Sequence, residues 1–225
     1  MNLELAAKNV SYSYHTKRQV VCALQQVTYT FKSGVVYALE GKSGSGKTTL
    51  LSLLAGLDIP ESGSIYFNGK DMRVMDLDRF RRENASVIYQ QFNLFPRMTV
   101  QENVIYPLLL NNVSRNEATK QAQKMLEQVG IGAPYWKRFP STLSGGEQQR
   151  VAIARALAIN AEIILADEPT GNLDSENTNI VMNLLRKLAH QEQRCVIVVT
   201  HDSDVSNMAD VVVRMEKGIL FGGTE

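Results

Sequence analysis

The segment Gly41-Lys42-Ser43-Gly44-Ser45-Gly46-Lys47-Thr48 has the spacing G-x-x-x-x-G-K-S/T, and its residue types suit a polyphosphate. Glycines let a backbone wrap closely with its N–H groups turned inward, and a lysine supplies a point charge for the outer phosphates. The threonine hydroxyl can coordinate Mg²⁺, and a helix opening just after the loop aims its positive end at the anion. Much further along, Ile163-Ile164-Leu165-Ala166-Asp167-Glu168 ends an apolar run in adjacent carboxylates. Acids at that place are costly unless a cation is near. Asp167 is therefore expected to hold Mg²⁺, usually through a water, and Glu168 to polarise an attacking water as a general base.

Such groups need rigid elements beneath them. Val27, Tyr29 and Phe31 alternate with polar residues, as in a half-buried antiparallel strand, and Lys32-Ser33-Gly34 is turn chemistry. Val35 to Leu39 is a continuous apolar run, a strand buried on both faces that would feed the glycine-rich loop; Thr48 to Leu57 follows as a helix. Ile65-Tyr66-Phe67 runs into the tight-turn pair Asn68-Gly69. From about Asn93 to Ala158 the pattern becomes helical. Ala118, Ala122, Met125, Leu126 and Val129 share one side of a helix over Asn116–Val129, which Gly130, Gly132 and Pro134 end, and a further helix spans Gly145–Ile159. Strand Ile163–Ala166, helix Ser175–His190 and strand Val196–Val199 imply a parallel sheet, with Val211–Met215 and Gly218–Phe221 as closing strands. The expected fold is α/β: a P-loop NTPase core with a parallel sheet, an N-terminal antiparallel β subdomain and an inserted α-helical lobe. One domain would span 1–225, with the core in 1–92 and 159–225 and the lobe in 93–158.

Leu143-Ser144-Gly145-Gly146-Glu147-Gln148-Gln149-Arg150 narrows the class. Ser144 can cap the helix that starts at Gly145, and paired glycines let backbone N–H groups approach an anion. This is the L-S-G-G-E/Q signature, and with it the whole chain resembles the ABC ATPases. The resemblance implies ATP and Mg²⁺ as ligands. The nucleotide contacts would be Gly41, Lys42, Ser43, Gly44, Ser45, Gly46, Lys47, Thr48 and Thr49. Ser144, Gly145, Gly146 and Glu147 would face the γ-phosphate held by a second copy in a head-to-tail homodimer. Tyr14, rather than its neighbour Tyr12, matches the aromatic that stacks on adenine. Gln90 matches the glutamine that senses Mg²⁺ and the γ-phosphate at the hinge to the lobe, with Gln91 as the adjacent alternative. Gly171-Asn172-Leu173-Asp174 matches the loop that crosses the dimer interface, more often S-A-L-D, so Asn172 departs from the pattern. His201 matches the histidine that contacts the γ-phosphate. Catalysis would rest on Glu168, His201, Gln90 and Lys47, and the metal on Thr48, Gln90 and Asp167.

Gly56-Leu57-Asp58, Glu102-Asn103-Val104 with Pro107-Leu108, and Ala166 through Asp174 are similar to the macrolide-exporter, lipoprotein-release and bacitracin-resistance ATPases. That likeness implies an integral membrane permease as partner, with a periplasmic or extracellular adaptor beyond it. A cell-division type ABC ATPase, which signals through a membrane partner, shares these residues and stays open. A net charge of +1 offers no basic field for nucleic acid. The 2 cysteines, Cys22 and Cys195, lack metal or disulfide spacing and are expected to be buried or inert thiols. No run approaches the roughly 18 apolar residues of a membrane span, and the N-terminus lacks a secretory pattern. The expected place is the cytoplasm, at the inner face of the membrane. With little chain after the last expected strand, no accessory β domain of the regulated-importer kind is expected.

Overall fold

A computed structural model describes residues 3–15 and 19–222. Strands β1 (Glu4–His15), β2 (Val20–Lys32), β4 (Ser62–Phe67) and β5 (Lys70–Asp71) form an antiparallel sheet in the order β2-β1-β4-β5, and between β2 and β4 come β3 (Val36–Glu40) and α1 (Lys47–Leu54). After β5 follow α2 (Leu77–Glu83), β6 (Ala85–Ile88), α3 (Val100–Leu110), α4 (Arg115–Gln128), α5 (Gly145–Ala158), β7 (Ile163–Asp167), α6 (Ser175–Glu192), β8 (Cys195–Thr200), α7 (Ser203–Asn207), β9 (Val211–Glu216) and β10 (Ile219–Phe221). The second sheet runs β10-β9-β3-β8-β7-β6; all neighbours are parallel except β10, which is antiparallel to β9.

The central strands β3, β7 and β8 are buried on both faces, which is why they read as continuous apolar runs. Side chains alternate between two cores. Ile163 and Leu165 of β7, with Cys195, Ile197 and Val199 of β8, pack with α1 and the antiparallel sheet. Ile164, Ala166, Val196 and Val198 pack with α3 to α6 on the other side. The parity continues to the end of β7, so Asp167 falls on the face that carries α1. Cys195 is buried, and burial pushes its thiol up to about 12, so it is inert; Cys22, by contrast, is exposed.

Helix α1 stops at Leu54, short of the expected Leu57. Gly56, at φ 66°, donates to the Leu53 carbonyl, and Leu57 donates to the Ser52 carbonyl. That left-handed glycine closure ends the helix. Helices α2 and α3 were not expected. Pro107 lies inside α3 and hides it from a periodicity reading, but Thr99 and Glu102 form a capping box at its start.

Candidate functional site

Adjacent parallel strands β3, β8, β7 and β6 end at one edge, where open α/β sheets place their ligands. The glycine-rich loop leaves β3, Asp167 and Glu168 end β7, His201 follows β8, and Gln90 lies just past β6. Gly46 adopts φ 107° as N-cap of α1, and a side chain there would meet the Ala23 carbonyl at 2.4 Å. Gly44, at φ 77°, has open space beside it, so backbone conformation is what demands glycine there.

Lys47 is buried, and its Nζ donates to the Gly41 carbonyl at 2.6 Å and the Lys42 carbonyl at 2.9 Å. Burial lowers its affinity for a proton, while Glu168 and Asp167 oppose that shift. The Thr48 hydroxyl donates to Asp167 Oδ1 at 3.3 Å. Burial pushes the Asp167 carboxyl above the usual carboxylate range and Glu168 adds to this, while the Thr48 hydroxyl and the Lys47 ammonium pull it down. A partly buried carboxylate beside an exposed hydroxyl is a hard-oxygen donor pair, and a bound polyphosphate would complete it. Mg²⁺ fits such a pair, because it favours few protein ligands together with phosphates and waters. Among the described residues, no cluster of three or more His, Cys, Asp or Glu that could hold a metal occurs. The Ser45 hydroxyl, within the loop, is buried and has no hydrogen-bond partner among the described residues.

Glu168 has φ 48°, a left-handed conformation that disfavours a side chain of this kind. Neighbours hold it there: its N–H donates to the Val199 carbonyl at 3.0 Å, and its own carbonyl accepts from Gly171 N at 3.2 Å. Its Oε1 lies 2.7 Å from His201 Nδ1. The carboxylate is thus pinned at the strand edge with the largely exposed imidazole beside it. Such strain gathers at functional sites.

Tyr14 is 48% exposed, and its hydroxyl is bonded to Thr49 Oγ1 at 3.1 Å, which ties the expected base-stacking ring to the residue after Thr48. Tyr12 meets that ring edge-on at 5.2 Å. Its own hydroxyl donates to Asp58, and that bond is the main reason its phenol rises to about 12. Gln90 is exposed, and its carboxamide Nε2 would lie 3.1 Å from a side chain on Gly171. Among the described residues, no hydrogen bond carries it to Thr48 or Asp167.

The signature residues stand apart. Ser144 caps α5 as the sequence suggests: its Oγ accepts from Glu147 N at 3.3 Å, and Glu147 Oε2 accepts from Ser144 N at 2.8 Å. Glu147, expected to face nucleotide, is engaged in this local box. Asp174 caps α6, its Oδ1 accepting from Asn177 N at 2.8 Å. Among the described residues no hydrogen bond or ion pair joins Ser144–Glu147 to Gly41–Thr49. Sequence reasoning missed Asn177, whose role only packing reveals. It also missed Arg155, and it met Asn103 only as part of a subgroup likeness; both brace the segment after Gln90. Arg155 donates to the Asn93 carbonyl at 2.6 Å and the Phe92 carbonyl at 3.1 Å. Asn103, fully buried, bonds Phe95 N at 2.8 Å and three carbonyls, of Phe95, Met98 and Thr99.

A phosphate loop with its lysine, a threonine–aspartate pair and a pinned glutamate at the edge of a parallel sheet define a P-loop nucleotide-hydrolysing protein. The family model described as "ABC transporter" matches residues 24–171, more than half of the chain. The lipoprotein-releasing system ATP-binding protein LolD of Rickettsia felis is 40% identical over 219 residues, covering 97% of this chain and 98% of that protein. The macrolide export ATP-binding/permease protein MacB of Rhodopirellula baltica is 42% identical over 202 residues, covering 88% of this chain and 29% of that longer protein. The dimeric structure of MJ0796, a cassette from Methanocaldococcus jannaschii, matches with a TM-score of 0.91 at 37% identity over 98% of each chain. A dimeric post-hydrolysis state of MJ0796, bound to ADP and Pi, also matches at 0.91. The chain belongs to the ABC transporter family, as an ATP-binding and ATP-hydrolysing cassette. Among the described residues no helix is long and apolar enough to cross a membrane.

Proposed function

We propose that this cassette works as a homodimer around two MgATP and drives a separate permease of the lipoprotein-release, macrolide-export or antimicrobial-peptide-resistance type, at the inner face of the cell membrane. The observation that carries the dimer is the separation just described: Lys47, Thr48, Asp167, Glu168 and His201 converge at one edge, while Ser144–Gly146 open a helix unconnected to it. The likeness to a dimeric cassette and to LolD supports the same reading.

In this reading Gly41–Thr49 grip the phosphates and Tyr14 the base. Thr48 and Asp167, with Gln90 nearby, would hold Mg²⁺, which when bound would supply charge neutralisation at the phosphates. Glu168 orients and polarises the attacking water, and His201 fixes its carboxylate. Residues 93–158 act as a lobe that turns about Gln90 when the dimer closes. The permease docks on the lobe beside the braced segment after Gln90, where exposed Phe95 and Tyr106 rings pack edge-on at 5.1 Å. Exposed aromatics on a braced loop and on the helix beside it suit a partner's short helix.

The test is recovery of partners from detergent-solubilised native membranes with tagged Glu168→Gln protein and MgATP. A permease with a large outer domain is expected, with or without a periplasmic or extracellular adaptor. A cell-division membrane protein in its place would overturn the transport half of the reading. Soluble partners alone would overturn the membrane half.

A further inference from the structure

Between the N-termini of α5 and α6 lies a side chain that neither motif accounts for. Asn177 sits in the first turn of α6. Its Nδ2 donates to both oxygens of Asp174, at 2.9 and 3.1 Å, and its Oδ1 accepts from Arg150 Nη1 at 2.6 Å. The carboxamide is thus held at both its ends, and the backbone N–H of Asn177 also donates to Asp174 at 2.8 Å.

That fixed carboxamide lies flush against Gly146. A side chain on Gly146 would come within 2.6 Å of Asn177 Oδ1, 2.7 Å of its Cγ and 3.1 Å of its Nδ2. Gly146 is buried and lies within α5 without a positive φ, so alanine would otherwise favour the helix. A side chain at position 146 would therefore have to displace the Asn177 carboxamide, a constraint additional to the anion approach that the sequence suggests. Gly145, one residue earlier, has looser neighbours, the nearest being Phe92 Cζ at 3.7 Å.

We propose that Asn177 is a positioning residue for ATP hydrolysis. Locked by Asp174 and Arg150, it seats the start of α5 on the start of α6 within one chain. It thereby sets where Ser144–Gly146 are presented to the nucleotide of a second copy. The inference rests on the homodimer reading above. Asp174 and Ser144–Gly146, which the resemblance treats as separate interface motifs, then move as one unit.

The experiment compares Gly146→Ala, Asn177→Ala and the double variant, and tests Asn177→Ala in the Glu168→Gln background. Binding of a fluorescent ATP analogue to the monomer should be unchanged throughout, which also reports folding. Asn177→Ala should lower kcat several-fold and weaken MgATP-driven dimerisation of the Glu168→Gln protein, read by light scattering. Gly146→Ala should lower kcat tenfold or more. The double variant should recover to the level of Asn177→Ala, because the clashing atoms are gone. A double variant as inactive as Gly146→Ala would overturn the proposal, as would Asn177→Ala with unaltered kcat and dimerisation. If Glu168→Gln alone binds nucleotide but stays monomeric, the homodimer reading falls first. If it dimerises equally well with Asn177→Ala, only the present inference falls.

Discussion

Two helix ends in this cassette are expected to face phosphate, and they are built in opposite ways. Helix α1 begins at Gly46, with no side-chain cap and no acidic residue in its first turn. Its N-terminal N–H groups and its dipole are left for a ligand. Helix α5 begins with a reciprocal box between Ser144 and Glu147 that consumes donors and places a carboxylate in the first turn. The first end keeps its donors for an anion, whereas the second already has the N–H groups of Ser144 and Glu147 bonded within its own chain. On the proposed dimer reading, α1 carries the affinity for ATP and α5, across the dimer, responds to the γ-phosphate.

The largest effect expected lies between the two ends. Glu168→Gln should lower kcat at least about 100-fold, the usual scale for loss of a general base. Affinity for ATP should hold, so equilibrium binding and single-turnover hydrolysis separate the two. Next, Lys47→Ala should weaken monomer affinity for MgATP by about 100-fold, since a charged hydrogen bond to phosphate is worth roughly 1.5–3 kcal/mol. Unchanged affinity by calorimetry would break the comparison at α1. A smaller change is expected at the other end. Ser144→Ala should cost about 1 kcal/mol of stability, lowering Tm by roughly 2–4 °C, with monomer affinity for ATP intact. Loss of that affinity would mean that α5 serves its own chain's site.

The smallest effect is pH-dependent. Hydrogen bonding from the Ser144 backbone holds the Glu147 carboxyl below the usual range. The unfolded chain therefore binds this proton first as pH falls. The contribution is fully present above the ordinary glutamate range and is lost as pH falls through the folded value. The stability gap between wild type and Glu147→Gln, measured by urea titration, should shrink from pH 7 to pH 3.

Much of this was legible beforehand. The phosphate loop, the acids after Ile163–Ala166 and the cap at Ser144 all follow from residue type and spacing, because each is a local arrangement. The alternation of Ile163, Ile164, Leu165 and Ala166 between two cores also follows from strand geometry, and it delivers Asp167 to the α1 side. Other features come from tertiary contact and leave no local trace. Asn177 looks like any polar residue in a helix's first turn. Glu147 is different: its motif suggests a nucleotide contact, and its S-x-x-E spacing equally spells the local capping box that the structure forms. Helix α3 was hidden by Pro107 despite a readable start at Thr99. Nothing in the letters Asp167-Glu168-Pro169 announces a left-handed residue.

That left-handed glutamate has a consequence for how the protein can change. At φ 48° the backbone at position 168 would sit more easily with asparagine, which tolerates this conformation where glutamate does not. Selection for thermal endurance alone should therefore favour Glu168→Asn and deliver a sturdier protein that no longer turns over ATP, a trade-off that screening variants for melting temperature and ATPase side by side would expose. On the proposed reading, the chain carries glutamate at that position at the expense of backbone comfort and in return for its role in hydrolysis.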